Sequence, residues 1–149
     1  GNDWFMDEVR ACIGYYQLYD LDKHIKKRND IAKVYDLAFS GNDSFSYIKT
    51  KNNAINAYYQ YPIILDQKIN RDKVIKILKE KYNIASKRIW LPTHQEKIFQ
   101  DLKFDSKTLR KTENTFNSSI CLPIFYELKD SEQERVIQAV LKELNILNV

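Results

Sequence analysis

A helical pattern fills nearly all of the first forty residues and stops at one turn signal, and any fold for this chain has to accommodate it. Met6, Val9, Ile13 and Tyr16 recur at spacings of three and four, as do Leu21, Ile25, Ala32, Tyr35 and Phe39. No proline interrupts them, and Ser40-Gly41-Asn42-Asp43 ends the run. Asp20 and Asp22 could start a second helix, so the segment reads as one bent helix or two in succession. At 1.5 Å per residue, about 35 helical residues span roughly 50 Å. A compact domain of this size is only about 40 Å across. The helix should overhang its own domain, and Val9, Ile13 and Tyr16 then need cover from protein outside it.

Beyond the turn the period changes. Phe45 to Lys49 alternates, Lys51-Asn52-Asn53 reads as a turn, and Ala57 to Leu65 is rich in strand formers, which together make an antiparallel hairpin. Pro62 cannot donate a ladder hydrogen bond and is expected at an edge or a bulge. A helix begins after Asn70, an N-cap residue, buries Val74, Ile77, Leu78 and Tyr82, and ends at Asn83, which tolerates the left-handed conformation. Arg88 to Leu91 reads as a short strand closed by Pro92, Glu96 to Leu102 as a short helix, and Ser106 to Thr115 as a weaker one. Ile120-Cys121-Leu122 is a third strand. Ser131 and Glu134 form a capping box ahead of a last helix with Val136, Ile137, Val140, Leu141 and Leu144 on one face. The expected fold is α/β (α+β): a long N-terminal helical region over residues 1–40, then a small antiparallel sheet with flanking helices over residues 41–149.

Composition narrows the chemistry. The net charge of +4 comes from 24 basic and 20 acidic residues spread along the chain. The densest basic stretch, Arg71 to Arg88, carries Asp72 and Glu80 within a helical pattern and reads as a solvated face rather than a nucleic-acid patch. The three glycines stand at positions 1, 14 and 41, too far apart for a phosphate-binding loop. No apolar run reaches the roughly 20 residues a bilayer span needs, and no secretory signal is visible in the first ten residues. Cys12 and Cys121 lie in apolar runs without zinc or redox spacing, so both are expected to be buried free thiols in a reducing, cytoplasmic setting.

Of the two histidines, His24 sits in a charged helical stretch and reads as solvated. His94 follows Trp90-Leu91-Pro92-Thr93 where a strand gives way to a helix, a place that presents side chains to clefts. No nucleophile–base set can be assembled around either. On its residues alone the chain is a soluble domain in need of a partner. It could be part of a larger enzyme, a free-standing interaction module that self-associates through its helix, or, more weakly, a basic nucleic-acid binder.

In order along the chain, Gly1-Asn2-Asp3-Trp4-Phe5-Met6-Asp7-Glu8, Arg10-Ala11-Cys12-Ile13-Gly14, Tyr59-Gln60-Tyr61-Pro62-Ile63, Asn70-Arg71-Asp72, Trp90-Leu91-Pro92-Thr93-His94 and Leu122-Pro123-Ile124-Phe125 resemble successive segments of the DegT/DnrJ/StrS sugar aminotransferases. The resemblance implies the C-terminal small domain of a dimeric enzyme that uses pyridoxal phosphate (PLP) to aminate a keto sugar linked to a nucleotide. In that family a Ser-x-His-x-x-Lys segment ahead of this region supplies the lysine that holds the cofactor. Asp22-Lys23-His24-Ile25-Lys26-Lys27 has its outline but Asp in place of Ser, and it lies within a helix. The chain alone is therefore expected to be inactive and to bind no PLP, its partners being a missing N-terminal PLP domain and a second copy.

By the same resemblance Asp3 and Trp4 approach the neighbouring subunit's PLP, while Lys87 and His94 face the sugar. Four positions depart from the family pattern. Asp3 stands where Asn is usual, and a carboxylate near a phosphate is repulsive. Phe5 replaces Arg, Asn83 replaces Gly, and Lys87 replaces Arg with loss of the bidentate fork.

Overall fold

A computed structural model describes residues 5–51, 54–99, 101–102 and 106–147. The N-terminal pattern is two helices, α1 (Glu8–Tyr19) and α2 (Leu21–Phe39), that meet at Asp20. The Asp7 carboxylate caps α1 by accepting from the Arg10 N–H at 2.9 Å. The two helices differ in what they bury. Helix α2 puts Ile31, Ala32, Tyr35 and Phe39 into the core, whereas α1 buries none of its residues. Gly41 then turns the chain with φ +76°.

Strands β1 (Phe45–Tyr47), β2 (Tyr61–Leu65) and β3 (Ser119–Leu122) form an antiparallel sheet in that order. The expected hairpin is present, but Pro62 lies in the central strand, not at an edge. The register explains why it is tolerated. Pro62 faces Cys121, whose own N–H and C=O turn away from β2 to the backbone of Lys87 at 2.8 and 3.3 Å. The missing N–H therefore points to the side of β1, one residue past the last β1 pair, Tyr47 with Ile63. The bridge to Lys87 is isolated, and Arg88 to Leu91 does not become the strand its composition suggested.

Helix α3 (Arg71–Tyr82) is capped by Asn70, whose side chain accepts from the Lys73 N–H. It ends at Asn83 in the left-handed conformation, with the Ile84 N–H returning to the Leu78 carbonyl at 2.9 Å. A single 3-10 turn at Lys97–Phe99 stands within the span Glu96 to Leu102 where a short helix was expected, and another at Thr93–Gln95 precedes it. Helix α4 (Ser106–Ser118) leads into β3, and α5 (Asp130–Leu147) closes the fold. The anticipated capping box at Ser131 is absent. Helix α5 starts earlier, the Glu132 carboxylate accepts the Lys129 N–H at 3.0 Å, and Glu134 accepts from Gln138.

Helix α5 packs on α2 and α3. Their apolar faces and the alternate residues Tyr61, Ile63 and Leu65 of β2 make one core. Tyr35 stacks on Phe39 and leans on Tyr61 at 4.8 Å between ring centroids. The Ser119 hydroxyl on β3 is buried without a hydrogen-bond partner, whereas two other buried polar groups are paired. The Tyr61 hydroxyl donates to Asp36 at 2.6 Å, and the Gln133 amide donates to the Ile31 carbonyl at 2.8 Å, tying α5 to α2.

Candidate functional site

The segment after α3 builds one wall of a cleft of about 300 Å³, lined by Tyr59, Gln60, Ser86, Lys87, Cys121 and Phe125 among others. Two anchors hold this segment. Lys87 exchanges backbone hydrogen bonds with Cys121. Arg88 grips the Asp72 carboxylate with Nε at 3.0 Å and Nη2 at 2.6 Å, a two-pronged ion pair at the start of α3. Asp72 also receives Arg71 Nε at 3.0 Å. Arg71 first, with Arg88 adding to it, holds the Asp72 carboxyl below its ordinary value against the opposing effect of burial. Lys87 itself is exposed, and among the described residues no carboxylate pairs with it.

The opposite wall depends on a strained turn. Tyr58 is buried and has φ +42°, a conformation that is costly for a bulky residue. The Asn56 side chain holds it by accepting the Tyr58 N–H at 2.9 Å. Tyr58 and Tyr61 thereby enter the core, and Tyr59 is left outside. There Tyr59 stacks on Trp90, with centroids 5.5 Å apart and planes 9° from parallel. On the far side, Trp90 lines a second depression of about 340 Å³ together with Lys111.

His94 does not line the Lys87 cleft. It sits in the turn after Pro92, largely buried, with Nε2 3.0 Å from Oε1 of Glu113 on α4. The same oxygen accepts from Gln95 at 3.4 Å. Lys87 and His94 thus stand on one short segment but in different surroundings, and Asp3 and Trp4 lie outside the described residues. Sequence reading missed Glu113, whose position in α4 carries no signal of a histidine 19 residues earlier. It also missed the Tyr59–Trp90 pair, since nothing local links the two. His24 is half-buried, its ring 4.4 Å from that of Tyr126, rather than solvated.

Helix α1 presents the other unusual surface. Val9, Ile13 and Tyr16 are 70%, 54% and 66% exposed. A shallow groove of about 650 Å³ runs over Cys12, Ile13, Tyr16, Leu21 and His24. Cys12 is exposed, which corrects its expected burial, because the helix face carrying it meets none of this chain's core; Cys121 is buried.

The residues of the Lys87 cleft do not fit PLP as a self-contained site. Its lining offers no carboxylate to hold a pyridine nitrogen protonated, and the Lys87 amine is exposed rather than enclosed. Among the described residues no cluster of His, Cys, Asp and Glu suits a metal, and no helix is long and apolar enough to cross a membrane.

A sequence model of the DegT/DnrJ/EryC1/StrS aminotransferase family matches residues 1–141. The UDP-4-amino-4,6-dideoxy-N-acetyl-beta-L-altrosamine transaminase of Helicobacter pylori is 25% identical over 143 residues, which cover 95% of this chain and 38% of that protein. GDP-perosamine synthase of Vibrio cholerae is 28% identical over 145 residues, again 95% of this chain and 38% of the relative. The aminotransferase TlmJ of Streptoalloteichus hindustanus superposes with a TM-score of 0.86 at 25% identity, over 97% of this chain and 38% of its own. The superposition falls on the small domain of such enzymes. The chain spans well under half the length of these relatives.

Proposed function

The chain belongs to the DegT/DnrJ/EryC1/StrS aminotransferase family, and from that premise we propose that it is the small domain of a PLP-dependent enzyme that aminates a nucleotide-linked keto sugar. The observation that carries this reading is the conjunction of a family match over residues 1–141 with a first helix that buries nothing. A helix of 12 residues is marginal in water by itself and gains its stability from packing. Its exposed Val9, Ile13 and Tyr16 are what a larger PLP-binding domain would cover, so residues 1–40 are the link and residues 41–149 the small domain proper.

In the whole enzyme, PLP supplies the means of moving the amino group, and the residues of this chain bind and orient. Asp3 and Trp4 approach the cofactor of the partner subunit in a homodimer. Lys87 and His94 stand on the rim facing the substrate, Lys87 with its charge and His94 oriented by Glu113. The Asp3 carboxylate and the apolar Phe5 weaken the phosphate end relative to the family pattern, and that favours a second reading, a non-catalytic module that keeps the fold and dimerises through α1. Two free thiols accord with a cytoplasmic setting.

The test is direct. The 149-residue chain mixed with PLP and glutamate should show no absorption band of lysine-bound cofactor and no amino transfer. The DNA upstream of Asn2 should continue an open frame through a Ser-x-His-x-x-Lys segment. Amino transfer by the chain alone would refute the small-domain reading, and a genomic stop codon immediately upstream would favour the module.

A further inference from the structure

We propose that Arg28 is a docking charge: it pairs with a carboxylate on the PLP-binding domain that covers α1, and so fixes α2 against that domain. This rests on the small-domain reading above and specifies what the covering protein must offer. Arg28 is half-buried on the core side of α2, one turn before Ile31 and Ala32 and two turns before Tyr35, all of them buried. Its Nε is shut off from solvent and has no hydrogen-bond partner. Among the described residues no carboxylate forms an ion pair with its guanidinium. Arginine carries five donors and keeps its charge at any working pH. A guanidinium with a buried, unanswered N–H therefore costs this chain stability when it stands alone. Packing of the stem does not explain the choice, because methionine would cover the same core without the charge.

The surroundings say what the missing group is. Of the neighbouring acids, Asp30 is turned to Lys33 at 3.7 Å and Asp130 to Lys27 at 4.0 Å. Lys23 lies over the ring of Tyr126. The start of α2 carries Lys23, Lys26, Lys27 and Arg28 against only Asp22 and Asp30, whereas α1 has no charged residue from Ala11 to Tyr19. The groove over Cys12, Ile13 and Tyr16 ends at His24, one helical turn before Arg28. The surface is thus apolar along α1 and positive where α2 begins. A matching partner presents an apolar face that ends in an Asp or Glu. The matched part is only 38% of the length of two relatives, so the remainder of such an enzyme is the body large enough to present that face.

Two measurements test the pairing. In urea denaturation of the 149-residue chain, Arg28→Met should hold the parent midpoint or raise it by about 0.5 M, since it removes an unanswered charge and keeps the stem. A lowered midpoint would mean that Arg28 is paired within its own chain, and would overturn the proposal. In the whole enzyme the sign should reverse, because Arg28→Met there strands the partner carboxylate and lowers the melting temperature. The second measurement identifies that carboxylate. The Arg28→Lys variant of the whole enzyme is treated with a water-soluble carbodiimide, which joins an amine to a carboxylate in contact with it. Tryptic mass spectrometry should find position 28 linked to an Asp or Glu upstream of Gly1. Mixed unlabelled and 15N-labelled chains separate links within a chain from links between copies. A link to Glu8 or another acid of a second copy's residues 1–149, or no link at all, would refute the assignment. Amino transfer by the whole enzyme without the link would sink the anchor and keep the small-domain reading. The link in a protein that transfers no amino group would do the reverse.

Discussion

The hydroxyl of Tyr35 donates to the carbonyl of Pro123 at 2.9 Å, joining α2 to the chain just beyond β3 across 88 residues of sequence. Pro123 also lines the Lys87 cleft, so the link connects the deepest part of the core to the candidate site. Tyr35 is fully buried and its hydroxyl proton is held more tightly than usual by that burial.

Removing the hydroxyl alone separates the hydrogen bond from the packing. Tyr35→Phe should cost about 1 kcal/mol, the net worth of one neutral hydrogen bond, with the ring stack on Phe39 retained. Tyr35→Ala should cost about 3–5 kcal/mol through the cavity it leaves. Urea denaturation measures both, and equal losses for the two variants would mean that the packing carries nothing.

The two thiols should react very differently. Cys12 is exposed, whereas Cys121 is buried and its thiol is pushed up to about 11 by burial, with Lys87 pulling the other way. A disulfide reagent at pH about 8 should titrate one thiol at once and the second only on unfolding. Cys12→Ser should abolish the fast phase.

Glu143 sets an acid limit on stability. Buried on α5, it accepts from Lys81 Nζ at 2.7 Å and from the Tyr82 hydroxyl at 2.5 Å. Lys81 first and then Tyr82 hold its carboxyl below the ordinary value, against burial. A carboxyl lowered on folding stabilises the fold above its unfolded value, and that stability is lost as pH falls through the lowered one. The urea midpoint of the parent chain should therefore drop in acid from about pH 4.5 downward. Glu143→Gln should start lower at neutral pH and fall less, so that the two curves converge. Parallel curves would show that the pair is not formed.

How far the sequence disclosed this depends on whether each feature has a local cause. The limits of α3 were legible because Asn70 and Asn83 act within a few residues of themselves, and the face of α5 was legible from its period. The existence of β2 was legible from the strand formers between Ala57 and Leu65, although the strand itself covers only Tyr61–Leu65. Features set by distant partners were hidden. Pro62 entered the central strand because Cys121 spends its backbone groups on Lys87, a relation no local rule contains. His94 was singled out by where it sits, but its partner Glu113 comes from α4 and its burial from the docking of that helix. Cys12 misled because an apolar helix face normally signals this chain's own core, and here it does not.

Hydrogen exchange of the dilute, monomeric chain tests most directly whether α1 was shaped to be covered by protein beyond its own fold. With nothing of its own packed over Val9, Ile13 and Tyr16, the α1 amides should exchange at close to unstructured rates. Those flanking Tyr35 in α2 should stay protected up to global unfolding. Protection of α1 equal to that of α2 in the monomer would contradict this, because the helix would then be held by its own chain.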